Sequence, residues 1–157
     1  MKRFLQAAAA ACVFACSCAY VGAQAFTDVG LAKKSLESTK ESWIEFGVTK
    51  QGQQIVKLGY FAVYKCTVKV IKYSFDSRNV DKSFNLPKCD PNNPFQIDNP
   101  ETFQVPIKSV IHNFTVQLVF ADGTVSPVRT YEPCSFEDGG SCTRMIKETP
   151  AAGGAGL

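Results

Sequence analysis

Between residues 54 and 75, apolar and polar side chains alternate more regularly than anywhere else in the chain. Val56, Leu58, Tyr60, Ala62, Tyr64, Cys66, Val68 and Val70 share one parity, and Lys57, Gly59, Lys65, Thr67 and Lys69 lie on the other. A period of two with one apolar face marks a half-buried β-strand. Across 60–64 both parities are apolar, which predicts a stretch covered on two sides. After Val70 the apolar positions become Ile71, Tyr73 and Phe75. A one-residue slip sends side chains to the opposite face, so a bulge or a change of sheet is expected near Val70 and Ile71. Fully extended at about 3.3 Å per residue, the run would reach roughly 70 Å. No strand of a small domain is that long, so two strands or one sharply bent strand are expected.

The same alternation predicts strands over 43–49 (Ile44, Phe46 and Val48 on one side) and 103–111, where Pro106 removes a ladder donor and suits an edge. Over 112–120, Phe114, Val116, Leu118 and Phe120 are expected to face in, with His112 in phase and Thr115 and Gln117 facing out. Gly52 in the 50–53 turn calls for a positive φ. Asp122-Gly123 suggests a type I′ hairpin turn, followed by a return strand over 125–131 with Pro127 at an edge. Residues 26–42 carry helix formers, with Thr27 or Asp28 as cap and Val29, Ala32, Leu36 and Trp43 near helical spacing. This part reads as a short helix or an arm. Residues 76–102 form a long loop with four of the eight prolines, and 147–157 read as a disordered tail.

The start of the chain changes this picture. Lys2 and Arg3 precede an apolar, alanine-rich run, and Ala23-Gln24-Ala25 offers a cleavage site, so 1–25 reads as a cleaved signal peptide. A membrane tether would require lipidation at Cys16, whose surroundings fit a lipobox poorly. Removal of 25 of the 157 residues leaves 132, one domain over 26–146 plus the tail. The remaining 15 basic and 14 acidic residues give no electrostatic case for nucleic acid. Four cysteines stay, Cys66, Cys89, Cys134 and Cys142. An even number in an exported chain reads as two disulfides. The short spacing favours Cys134–Cys142 and leaves Cys66–Cys89, although four cysteines allow three connectivities.

Candidate chemistry is sparse. His112 is the only histidine, which argues against a histidine-based triad or a multi-histidine zinc site. Asp90, Asn92, Asn93, Asp98 and Glu101 have a calcium-like composition, but Pro94 breaks the ligand spacing. Glu137 and Asp138 sit at a two-glycine loop tip, which solvates charges instead of shifting them. Lys57, Lys65, Lys69 and Lys72 read as a solvated face that discourages edge pairing, with a polyanion contact as the alternative. Asn113-Phe114-Thr115 is a sequon, a glycosylation acceptor in a eukaryotic secretory pathway. No catalytic residue, metal or cofactor is implied.

The expectation is a mainly β, antiparallel sandwich or strongly bent partial barrel of six to eight strands, exported to a periplasm or the outside. The expected function is non-enzymatic binding of a protein partner at sheet edges or the long loop, through Phe84, Phe95 and Ile97. The alternative is an inhibitor or effector that inserts the disulfide-braced loop with Phe136, Glu137 and Asp138 into a target enzyme.

Overall fold

The structure, a computed structural model, describes residues 27–49, 51–97, 99–135 and 141–151. The expected signal peptide, Cys16, Asp98, and Phe136, Glu137 and Asp138 lie outside these residues.

Helix α1 (Val29–Ser38) starts where Asp28 accepts a hydrogen bond from the Leu31 N–H at 2.8 Å, the cap its sequence offered. Ala32 and Leu36 turn into the core. A 3-10 turn (Lys40–Ser42) then leads into β1 (Glu45–Val48) and β2 (Gln54–Lys57). Beyond it come β3 (Val68–Phe75), β4 (Lys82–Asn85), β5 (Gln104–Pro106), β6 (Phe114–Phe120), β7 (Val128–Ser135) and β8 (Ser141–Thr149). They form two antiparallel sheets, β1-β2-β5 and β4-β3-β6-β7-β8. Trp43, Phe61, Phe114, Leu118 and Tyr131 are among the fully buried side chains of the shared core. The mainly β fold with two antiparallel sheets, one helix near the start and both expected disulfides is as the sequence predicted.

The long alternating run divides, but not as one parity would have it. Between β2 and β3 the chain makes a 3-10 segment, Gly59–Tyr64, that carries it from one sheet to the other. Leu58, Phe61 and Tyr64 are all buried, and a three-residue repeat is the side-chain period of a 3-10 turn. The stretch apolar on both parities is therefore not a covered strand. The expected bulge is present between Val68 and Val70, where the β3–β6 register shifts. The lysine row is broken by the same crossing, because Lys57 lies in one sheet and Lys69 and Lys72 in the other.

Two hairpin turns share one design. Gly52 N–H donates to Thr49 O and Thr49 N–H to Gln53 O; Gly123 N–H donates to Phe120 O and Phe120 N–H to Thr124 O. The glycines take φ of 81° and 85°, while Asp122 keeps an ordinary negative φ. The 121–123 loop is thus a three-residue turn closed by a left-handed glycine, not the expected type I′ pair.

Three further expectations are corrected. The long loop contains strand β4, paired with β3 from Val70↔Asn85 to Tyr73↔Lys82. Strand β8 runs through Thr149 and pairs with β7, so the tail expected from Lys147 begins no earlier than Pro150. Pro127 is not in a strand but just before β7, outside its ladders with β6 and β8. The ladder is interrupted there, and Ser126 fills the gap: its Oγ accepts from Leu118 N–H at 2.9 Å.

Sheet edges are guarded. On either side of β5, Phe103 O accepts from Leu58 N–H and Ile107 N–H donates to Gln54 O, so the alternation turns the backbone groups of Gln104 and Pro106 away from β2. Pro106 has no N–H to offer there. Strand β8 lies beside β1, whose Phe46 N–H donates to Thr143 Oγ1 at 3.2 Å. The two sheets thus meet edge-on through a side chain, which makes the fold a bent partial barrel as much as a sandwich.

Candidate functional site

The best-built surface is the 76–97 loop where it lies against the crossing segment. Cys66, two residues after that segment, bonds Cys89 across a sequence separation of 23, which pins the loop near its middle. Beyond the staple, polar side chains fold the chain locally. Asp90 Oδ1 accepts from Asn92 N–H at 2.9 Å, Asn93 Nδ2 donates to Gln96 Oε1 at 2.8 Å, and Asn99 Oδ1 caps the 3-10 turn Pro100–Phe103 through Glu101 N–H. The first and the last are Asx-type turns. The Asn and Asp content that suggested calcium is used to build them, and among the described residues no cluster of three or more potential ligands exists.

The three apolar residues expected on this loop part company. Phe95 and Ile97 are exposed, at 44% and 36%. Phe84 is half-buried in β4 and packs on Phe103 with ring centres 6.3 Å apart, so it belongs to the core and not to a contact surface. Ile97 borders a groove of about 370 Å3 with Lys65, Lys88, Asn99 and Phe103. Lys65 Nζ donates to Gln96 O, tying the loop to the end of the crossing segment. The result is an apolar knob on a braced loop beside a lysine-flanked groove.

A second constellation, invisible in the sequence, lies between α1 and β7. Arg129 is buried on the inner face of the sheet and stacks on Trp43, with its guanidinium carbon 4.4 Å from the ring centre. Its Nη2 meets Glu37 Oε2 at 2.5 Å and its Nε meets Glu148 Oε2 at 2.9 Å. Lys40 bridges the same carboxylates at 2.9 and 3.1 Å. Hydrogen bonding from Lys40, together with Arg129, holds the Glu37 carboxyl below its ordinary value. Burial alone would raise Glu148, but bonds from Lys40 and Arg129 outweigh it and the carboxyl is lowered. Burial raises the Tyr131 phenol, which stays neutral and donates to Lys40 O at 2.7 Å. Lys33, across a cleft of about 220 Å3, pairs with Asp122 at 2.6 Å. That bond, aided by Thr124, lowers Asp122 to about 2. Perturbed groups in a cleft often mark active sites. Here each charge is spent on another, which is how a structural clasp is built.

The remaining sequence candidates separate. His112 is exposed, not inward, because the chain turns just before β6: Asp76 Oδ1 accepts from the N–H of both His112 and Asn113, at 2.7 and 2.8 Å. Asn113 is half-buried. Thr115 is buried, contrary to expectation, with its hydroxyl 3.2 Å from that of Thr130. The Cys134–Cys142 bridge closes the β7–β8 hairpin beside an apolar mouth of about 190 Å3 lined by Phe46, Ile55, Ile107 and Ile111. Val48 and Val110 are exposed at 62% and 77%. No helix among the described residues is long and apolar enough to cross a membrane. Comparison with protein families, curated proteins and solved structures finds no significant match.

Proposed function

We propose that this protein is a non-enzymatic, exported binding module that docks a protein partner on the disulfide-pinned loop. The observation that carries the reading is the exposure of Phe95 and Ile97 on a loop held by the Cys66–Cys89 bond. A stapled loop loses little conformational freedom on binding, and that favours affinity. The flanking Lys65 and Lys88 suit a partner segment that is acidic as well as apolar. Docking by strand addition is the poorer route, since Pro106 blocks one edge and β1 covers part of another. Two disulfides are consistent with an oxidising setting.

The test is crosslinked affinity capture from the native host with the wild-type chain and a Phe95→Ala/Ile97→Ala variant of unchanged melting temperature. A recurrent partner lost in the variant supports the loop. A partner captured equally by both removes it.

The apolar mouth at the base of the Cys134–Cys142 hairpin favours a second reading, a secreted inhibitor that presents this hairpin to an enzyme. Replacement of 136–140 by glycine and serine then abolishes inhibition while the fold persists.

A further inference from the structure

A groove of about 460 Å3 opens between the three-stranded sheet and the turn Gly59–Tyr64. Part of its wall is a cross-strand row. Glu45 faces Lys57 in the β1–β2 register, and Lys57 faces Gln104 in the β2–β5 register. Direct cross-strand neighbours lie close enough to present their polar ends together. Lys57 Nζ and Glu45 Oε1 are 2.5 Å apart. Half-buried Tyr60 adds aromatic surface, while Trp43 borders the groove from within the core and is itself buried. At Gly59 an added Cβ would meet no atom within 4 Å, so the backbone is open there.

We propose that this groove is a binding site for a neutral saccharide unit. Its only charged lining residues are Glu45 and Lys57, and they are paired, so an ionic ligand gains no net attraction. Neighbouring hydroxyls bind without parting the two charges: one donates to Glu45 Oε2, which makes no hydrogen bond among the described residues, and the next accepts from a remaining Lys57 N–H. A small zwitterion is the rival ligand for the same two positions, and the titration separates the two. A hydroxyl both donates and accepts, and the Gln104 amide does the same. The C–H face of a sugar ring then rests against aromatic surface, the mixed lining typical of small-ligand sites. The groove shares Phe103 with the loop groove but is lined by neither Phe95 nor Ile97, so the inference does not depend on them.

Trp43 is the only tryptophan and borders the groove from within the core, so its emission senses changes in the groove wall. The full chain is titrated with the methyl glycosides of glucose, mannose, galactose and N-acetylglucosamine, and separately with diglycine as a zwitterion. The expected result is a saturable emission change with at least one glycoside and a dissociation constant on the order of 1 mM, as suits a small ligand at an exposed site. Gly59→Phe fills the groove and abolishes the response. Glu45→Gln, an exposed change that leaves the fold intact should Gly59→Phe not fold, weakens it about tenfold. No response to any glycoside, an undiminished response in Glu45→Gln, or saturation by diglycine in place of the glycosides overturns the proposal.

Discussion

Arg129 and Trp43 lie face to face in the core, guanidinium carbon to ring centre 4.4 Å, although 86 positions separate them in the chain. The contact fixes the connection between helix and sheet. Trp43 also donates its indole N–H to Leu36 O at 3.0 Å, so one side chain ties the end of α1 to β7. A planar guanidinium can stack and fork at once, which an ammonium cannot.

Arg129→Ala is therefore expected to cost about 3 kcal/mol of stability in urea denaturation, because it removes the buried stack on Trp43 and leaves Glu37 and Glu148 to Lys40 alone. Arg129→Lys keeps the charge but loses the fork, and should fall between that variant and the wild type.

Acid should loosen the same clasp. Glu37 and Glu148 titrate below their ordinary value of 4.5 in the folded chain. Above that value both states are ionised and the full contribution is present. As pH falls, the unfolded chain takes up protons first, and the contribution is lost through the lowered folded values. Both carboxylates are partly solvated, so solvent screening keeps the effect modest. The urea midpoint should drop between pH 5 and more acidic buffers, on the order of the spread expected for shifted carboxylates, and the slope should flatten in Glu37→Gln/Glu148→Gln.

Removing the loop staple should be felt in two ways. A Cys66→Ser/Cys89→Ser variant is expected to lose about 3 kcal/mol, the chain-entropy value for a loop of this length. Trypsin should then cut at exposed Lys88 well before the rest of the domain opens, as followed by mass spectrometry.

Asp76 is the one non-glycine residue among those described with a positive φ, 50°. Its carboxylate offsets that strain by accepting two backbone N–H groups. Asp76→Ala should cost about 2 kcal/mol, and Asp76→Asn, which keeps an acceptor, less than about 1 kcal/mol by the same denaturation.

Strand β6 could be read directly, since Phe114, Val116, Leu118 and Phe120 alternate into one core. The crossing segment could not, because a parity test is blind to a period of three. Leu58, Phe61 and Tyr64 carried that signal throughout. Strand β8 was obscured by its own charges: Arg144, Lys147 and Glu148 are exposed on a solvated strand, with Arg144 paired to Glu132 and Glu148 to Arg129. A bulge at Thr130/Tyr131 further breaks its alternation. The disulfides followed from cysteine count and spacing. The loop knob was half legible, because Phe84 and Phe95 look alike until Phe103 claims one of them. The groove proposed for a saccharide depends on Glu45, Lys57 and Gln104 lining up across three strands, and only register brings them together.

The edge-on meeting of β1 and β8 also sets the order in which the molecule can be finished. Phe46 waits for Thr143, 97 positions on; Arg129 holds Glu37, 92 positions back; and Lys40 waits for Glu148, 108 positions on. Contacts of such long range form late and slow a folding reaction. As the chain emerges, helix α1 meets Tyr64 early through Ser35, but Glu37 and the following Lys40 are not closed off until residues 129 and 148 have been made. Until then the clasp stands open, and the fold is held only by its nearer contacts.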